Sequence, residues 1–142
     1  GKLTTYRNMA AQIADEVQRG LGKGKSPSAT ATESLAGAGR EKELRDLVAD
    51  DPQLGNPIVD GHSASRAELH YAVSNELALT IGDVLIRRTR IAFETADHGK
   101  NAAAQAADDM ALLFGWGKKE KSDQIRRYEA ESDRIFGAAA AV

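Results

Sequence analysis

Apolar residues in this chain recur at three- and four-residue intervals from near its start to near its end. That period fits amphipathic helices and not sheets, whose side chains alternate with a period of two. Met9, Ile13 and Val17 recur every four residues, with Tyr6 and Ala10 filling the stripe. They predict a first helix over about 5–20, with Thr4 or Thr5 as its N-cap and Gly20, Gly22 and Gly24 ending it. Residues 22–38 lose the period and are rich in Gly, Ser, Thr and Ala, the composition of a linker. Helical signals return near Gly39. Leu44, Leu47 and Val48 form a short stripe that stops before Pro52, and Asn56-Pro57 and Asp60-Gly61 mark turns.

A third helix is expected over about 64–78, with Leu69, Ala72, Val73 and Glu76 on one face. A fourth is capped by Thr80, with Asp83 reaching back, and carries Ile81, Val84, Leu85, Arg88 and Ile91. Gly99 opens a fifth segment with Ala103, Ala106, Met110, Leu113 and Phe114 inward, broken by Gly115-Trp116-Gly117. The last helix spans about 119–136 with Ile125, Tyr128, Ile135 and Phe136 inward. No stretch shows strand alternation and no internal repeat is visible. The expected class is all-α, a bundle of about five to six helices. Its divisions are 1–21, a linker at 22–38, a helical domain at 39–137, and a small-residue tail at 138–142 expected to fray.

Several function classes are excluded or disfavoured. The formal net charge of −2 argues against nucleic acid as the main partner, because neutralising phosphates needs a basic surplus. There is no cysteine, hence no disulfide, thiol nucleophile or thiolate metal site. His62, His70 and His98 do not sit at metal-ligand spacing with a carboxylate, so a metal site is not expected. Asp108-Asp109 point about 100° apart on a helix and do not readily share a proton. The glycines at 20–24 match no phosphate-loop spacing. No apolar run approaches the ~20 residues of a membrane span. The start, Gly1-Lys2-Leu3-Thr4-Thr5-Tyr6-Arg7, is no signal peptide. It reads as a strand end turning into a helix, and the expectation is that the chain was cut from something longer.

Three constellations stand out. Glu76 shares a helix face with apolar residues, while Arg87 and Arg88 flank the next stripe and Asp83 is four residues before Arg87. These four are expected to form an internal ion-pair network near the core, with an anion or partner site as the alternative reading. On that reading Glu76→Ala costs roughly 3–5 kcal/mol. Phe114 and Trp116 stand beside Lys118, Lys119 and Lys121, with Arg126 and Arg127 further on. This reads as a core Trp at a helix corner with a solvated basic face, or alternatively as a contact with an acidic membrane surface. Lastly, Lys2 just before a helix start reads either as an arrangement that favours anions or as an ordinary capped helix start.

The opening heptapeptide resembles the final flavin-contacting loop of membrane-associated, FAD-dependent glycerol-3-phosphate dehydrogenases. Four later stretches resemble that family's C-terminal helical domain in order and spacing: Asp50-Asp51-Pro52-Gln53-Leu54, Glu68 to Glu76, Asp83-Val84-Leu85-Ile86-Arg87-Arg88-Thr89-Arg90, and Gly115-Trp116. The resemblance covers residues 1–20 and about 29–136. The heptapeptide and the Asp-Val-Leu-x-Arg-Arg-Thr-Arg block are its specific signals.

The resemblance implies an enzyme that oxidises glycerol 3-phosphate to dihydroxyacetone phosphate, passing hydride from substrate C2 to flavin N5 and electrons onward to a quinone. Lys2 matches the family lysine near substrate and flavin, with an electrostatic role toward the substrate phosphate or the reduced flavin. Leu3, Thr4 and Thr5 match positions whose backbone lies along the flavin ring. Residues 1–21 then represent the end of the FAD domain, and the expected partner is that domain itself. The dinucleotide-binding glycine motif and the remaining substrate residues are missing. This polypeptide by itself is therefore expected to bind no FAD and to be inactive. The first helix is expected to dock on the helical domain, pair in a homodimer, or be poorly ordered. The implied location is cytoplasmic, or peripheral at the inner face of the cell membrane. Two alternatives stay open: a domain of α-glycerophosphate oxidase, which uses oxygen, and a non-enzymatic helical interaction module.

Overall fold

The computed structural model describes residues 2–24, 26–35 and 37–137. Gly1 of the heptapeptide, two linker positions (Lys25 and Ala36) and the tail at 138–142 lie outside the described residues. The described residues are helices and connecting turns without a strand. The chain divides into two compact units, Gly1–Ala38 and Gly39–Val142.

In the first unit a 3-10 turn, Leu3–Thr5, leads into α1, Tyr6–Gly20. The expected threonine cap is not made. The Thr5 backbone is in the right-handed helical region, and its hydroxyl donates back to the Lys2 carbonyl (3.0 Å), away from the amides it would have capped. The other end follows the glycine rule: Gly22 takes a left-handed φ of +68°, and the Lys23 amide reaches the Gln18 carbonyl (2.8 Å). Residues 26–35 return along α1, where the Ser26 amide meets the Gln18 side chain (3.2 Å).

The second unit begins with α2, Arg40–Asp50, which stops where Pro52 cannot continue it. The Asp51 carboxylate accepts the Gln53 amide (2.9 Å) and starts a 3-10 turn, Pro52–Gly55. A short antiparallel pairing of Pro57 with Ser65 then aims the chain into α3, Arg66–Asn75. The α3 start is fixed by a capping box, with the Ser65 amide held by Glu68 (2.9 Å). Arg40 of α2 pairs with the same Glu68 (2.6 Å) and lies over the Tyr71 ring, tying α2 to α3.

The α3 helix is shorter than the 64–78 expected. Leu77 adopts a left-handed φ of +55°, and the Ala78 amide returns to the Ala72 carbonyl (3.1 Å).

The reciprocal Thr80/Asp83 cap does form: the Thr80 amide donates to Asp83 (3.0 Å) and the Asp83 amide to the Thr80 hydroxyl (3.1 Å). Beyond this cap the chain departs from the single helix expected. After Ile81 and Gly82 the backbone widens into a π-helix, Asp83–Arg88, closed by the Thr89 amide on the Val84 carbonyl (2.9 Å). Its wider turn lets Val84, Leu85 and Ile86, three successive residues, all be buried. The left-handed Arg90 breaks the helix, so Ile91 reaches the core from a separate short helix, α4, Ile91–Glu94.

Helix α5, Ala103–Phe114, and α6, Lys118–Phe136, complete the unit, joined at Gly115, whose φ of +70° ends α5. The α3 helix packs on α5, α5 on α6, and α2 on α3. Ala72, Ala103, Ala106 and Ala107 are buried at these contacts, and their small side chains allow close helix approach. Around them Leu69, Ile81, Val84, Leu85, Ile91 and Met110 make the core. Three residues expected inward are not: Leu113, Phe114 and Ile135 are each about two-fifths exposed. The α5 stripe is complete at Met110, and Phe114 instead stacks on Trp116 at the corner (5.3 Å). At the end of α6, Phe136 is the residue that packs, face to face with His98 (4.3 Å). Tyr128 is buried, and its hydroxyl donates to the His98 carbonyl.

Candidate functional site

Lys2, Leu3, Thr4 and Thr5 are all exposed, on the turn that opens α1. Lys2 has an extended backbone, and the Thr5 amide donates to its carbonyl (3.0 Å). The 3-10 turn thus supplies an acceptor ahead of α1, and Lys2 adds an exposed positive charge before the helix. A cavity of about 500 Å³ lies further along the same unit, between α1 and residues 26–35. Its wall starts at Tyr6 and Arg7 and includes Ala10, Ala14, Pro27 and Leu35, so it does not enclose Lys2 to Thr5.

The four charged residues singled out from the sequence make two clusters in the second unit. Arg88 meets Glu76 through its carboxylate (3.2 Å) and its carbonyl (2.8 Å). Arg87 lies 3.4 Å from Asp83 and 2.6 Å from Glu131 of α6, a partner that local spacing does not identify. These groups sit at the rim of the core: the Glu76 and Arg88 side chains are 27% and 34% exposed. Glu76 is the C-cap of α3, and the expected pairs form there at the edge of the core, part-buried and not fully enclosed. Asp83 does the most local work. Burial pushes its carboxyl pKa up, but the Thr80 hydroxyl, the Leu79 and Thr80 amides and Arg87 together hold it below the usual carboxylate value.

The ion pair that is inside was not anticipated. Asp109 is fully buried and accepts two hydrogen bonds from Arg66, at 2.8 and 2.5 Å, and a third from Gln105 at 3.1 Å. Such a forked pair satisfies both oxygens of a carboxylate removed from water. One signal for it was present: Asp109 stands between Ala106 and Met110 on the inward stripe of α5, whereas Asp108 faces out and meets Lys121 of α6. His70 lies near this pair. Burial lowers its pKa more than the neighbouring Asp109 raises it, and its buried Nε2 has no hydrogen-bond partner.

Among the described residues no group of three His, Asp or Glu could hold a metal, and no helix is long and apolar enough to cross a membrane. Trp116 is half-buried against the core, Lys118 and Lys119 are exposed, and Lys121 is taken by Asp108. The second unit is a helical scaffold, and the exposed turn that carries Lys2 belongs to the first.

Comparison with known proteins gives this scaffold a place. A family model described as the C-terminal domain of alpha-glycerophosphate oxidase matches residues 28–121. Glycerol-3-phosphate dehydrogenase of Synechocystis is 28% identical over a match that takes in 90% of this chain and 29% of that protein. Glycerol-3-phosphate dehydrogenase 2 of Mycobacterium tuberculosis is 29% identical, over 92% of this chain and 28% of that protein. Glycerol-3-phosphate dehydrogenase 1 of Mycobacterium bovis is 45% identical over a shorter stretch, 33% of this chain and 9% of that protein. The chain spans under a third of the length of these relatives, and no solved structure matches it. With a helical architecture throughout the described residues and two-thirds of its length matched by one model, the chain belongs to the family of the C-terminal domain of alpha-glycerophosphate oxidase, shared with glycerol-3-phosphate dehydrogenases.

Proposed function

We propose that this chain is the C-terminal part of an FAD-dependent enzyme that oxidises glycerol 3-phosphate to dihydroxyacetone phosphate and delivers the electrons to a quinone. The observation that carries the reading is the extent of the dehydrogenase matches. Coverage of 90% and 92% of the chain reaches beyond residues 28–121 on both sides, into α1 and into α6. The kinship is therefore with a larger part of those proteins than the helical domain alone.

The residues present suit one edge of a flavin. Lys2 supplies a mobile positive charge, and the turn Leu3–Thr5 with the head of α1 supplies backbone donors toward an anionic ring edge. They are too few to hold it: all are exposed, and the neighbouring cavity does not enclose them. FAD, once bound by the rest of the enzyme, supplies the hydride acceptor. In this reading Lys2 steadies negative charge on the substrate phosphate or on the reduced ring, and the α1 dipole adds to that field. The 142-residue chain alone binds no flavin and turns over no substrate.

The name of the matched family model favours one second reading, in which the electrons go to oxygen. The test uses the chain joined to the polypeptide that its gene encodes before it. Glycerol 3-phosphate is added with a soluble quinone, and peroxide is measured alongside quinol. Quinol without stoichiometric peroxide supports the dehydrogenase; peroxide with no quinone reduction supports the oxidase. No oxidation with either acceptor ends both readings.

A further inference from the structure

The corner between α5 and α6 carries two locally unfavourable features that nothing within its unit offsets. The first is apolar. Leu112, Leu113 and Phe114 end α5 beyond Met110, where its buried stripe is complete, and all three are exposed, Leu112 at 78%. Successive helical residues point about 100° apart, so the three clothe the helix end from different sides. The second is electrostatic. Lys118 and Lys119 open α6, where the macrodipole disfavours cations, and no side chain caps that end. Both are exposed, and neither has an acidic partner among the described residues, whereas Lys121 is neutralised by Asp108. Trp116 lies between the two groups in the chain, half-buried against the core and stacked on Phe114 (5.3 Å).

These residues select the chemistry of what covers them. A protein groove that receives a helix reads anchors three and four residues apart, on one face. Leu112, Leu113 and Phe114 are consecutive and share no face, so one groove on a rigid partner does not take all three. A fluid apolar medium does. The two unpaired ammonium groups at its edge require that medium to carry negative charge. Tryptophan favours the boundary between an apolar interior and a polar surface, and a lysine stem lies along apolar material while its ammonium reaches outward. Two leucines, a phenylalanine, a tryptophan and two lysines follow that gradient in order from residue 112 to residue 119.

We propose that this corner is a lipid-contact site. Leu112, Leu113 and Phe114 enter the headgroup and upper acyl region of an anionic leaflet, and Lys118 and Lys119 meet its phosphates. No helix of the described residues crosses the bilayer, so the contact is peripheral. Three apolar side chains and two lysines give a weak, reversible attachment that fades as salt screens the charges. The site belongs to the helical domain itself and is independent of the reading given under Proposed function.

Trp116 is the one tryptophan of the chain, so its fluorescence reports on this corner and not on the exposed stripe of α1. The 142-residue chain is mixed with vesicles of phosphatidylcholine, with and without phosphatidylglycerol, whose brominated acyl chains quench tryptophan on contact. The expected result is quenching when phosphatidylglycerol is present and little when it is absent. Leu112→Ser is expected to weaken the partition on the order of tenfold, and the exposure of that side chain leaves the fold intact. Lys118→Glu is expected to weaken it by about tenfold or more. Lys42→Glu makes the same charge change at an exposed lysine of α2 and is expected to stay within about twofold of the unsubstituted chain. An absence of quenching by the phosphatidylglycerol vesicles overturns the proposal, and so does equal quenching by phosphatidylcholine alone. Lys42→Glu weakening the partition as much as Lys118→Glu overturns it, since net charge alone would then act. Co-sedimentation with vesicles that leaves Trp116 unquenched overturns it by placing the contact on α1. A change in Trp116 emission that grows with protein concentration before vesicles are added signals a second copy and overturns it too. The assay uses neither flavin nor glycerol 3-phosphate, so its failure and the failure of the proposed function are separate events.

Discussion

Asp109 and Glu76 are carboxylates that each pair with an arginine, and burial gives them different weights. The Asp109 side chain is 1% exposed and takes three hydrogen bonds. Removing it takes from Arg66 its hydrogen-bonded counter-charge and leaves the more weakly coupled Asp51. Asp109→Ala is expected to lower the free energy of unfolding by about 3 kcal/mol or more. Glu76 is at the rim and its pair is screened by water, so Glu76→Ala is expected to cost about 1 kcal/mol, below the 3–5 kcal/mol of a core pair. Urea unfolding of the two variants side by side checks the order. A Glu76 cost equal to that of Asp109 would contradict the burial argument.

His70 gives the unit a pH dependence of definite sign. Its folded pKa lies below the ordinary histidine value of 6.5 because burial disfavours the imidazolium. Above about pH 6.5 the ring is neutral in both states and imposes no penalty. As pH falls below that value the unfolded chain takes the proton first, and stability declines until the folded pKa is reached. His70→Gln is expected to flatten the slope of melting temperature against pH below about 6.5. An unchanged slope would place the titration elsewhere.

At the scale of elements, the contact between the α4–α5 connection and α6 depends on one glycine. Gly99 has φ +75°, and a Cβ there would stand 2.6 Å from the Tyr128 hydroxyl, the group that donates to the His98 carbonyl. Gly99→Ala combines a left-handed penalty with loss of that buried hydrogen bond, an expected cost of about 2–4 kcal/mol. A thermal melt within error of the unsubstituted chain would show that the contact is dispensable.

The elements themselves were largely legible from spacing. The α1 stripe, the stop before Pro52, the Thr80/Asp83 cap and the Gly115 corner all follow local rules that a period and a few residue types express. What spacing did not express was set by tertiary contact. The π-helix, whose wider turn accommodates three successive buried apolar residues, breaks the 3.6-residue period on which the reading relied. Leu77 sits where the usual helix stop is glycine, so the early end of α3 left no mark in the sequence pattern. The Arg66–Asp109 pair joins residues 43 apart, and a local pattern carries no information at that range. Of the candidate site residues, the sequence placed Lys2 to Thr5 at a helix start but misjudged the Thr5 hydroxyl, which turns back on Lys2.

At the scale of the molecule, the two units divide the roles. Gly39–Val142 has the packed core, the buried ion pair and no chemistry assembled for catalysis among its described residues. Gly1–Ala38 has little beyond one helix, whose Met9, Ile13 and Val17 stripe is exposed, and the turn that carries Lys2. A helix with an uncovered apolar face draws most of its stability from whatever it packs on. The exposed apolar stripe of α1 suits a segment that packs on further polypeptide, as the proposed function requires. The most direct measurement is the absorbance of bound flavin when glycerol 3-phosphate is added, without oxygen, to the chain joined to the polypeptide its gene encodes before it. The account predicts that the flavin bleaches, and that Lys2→Ala slows the bleaching on the order of a hundredfold while flavin stays bound. A longer protein that binds no flavin, or whose flavin does not respond to glycerol 3-phosphate, would contradict it.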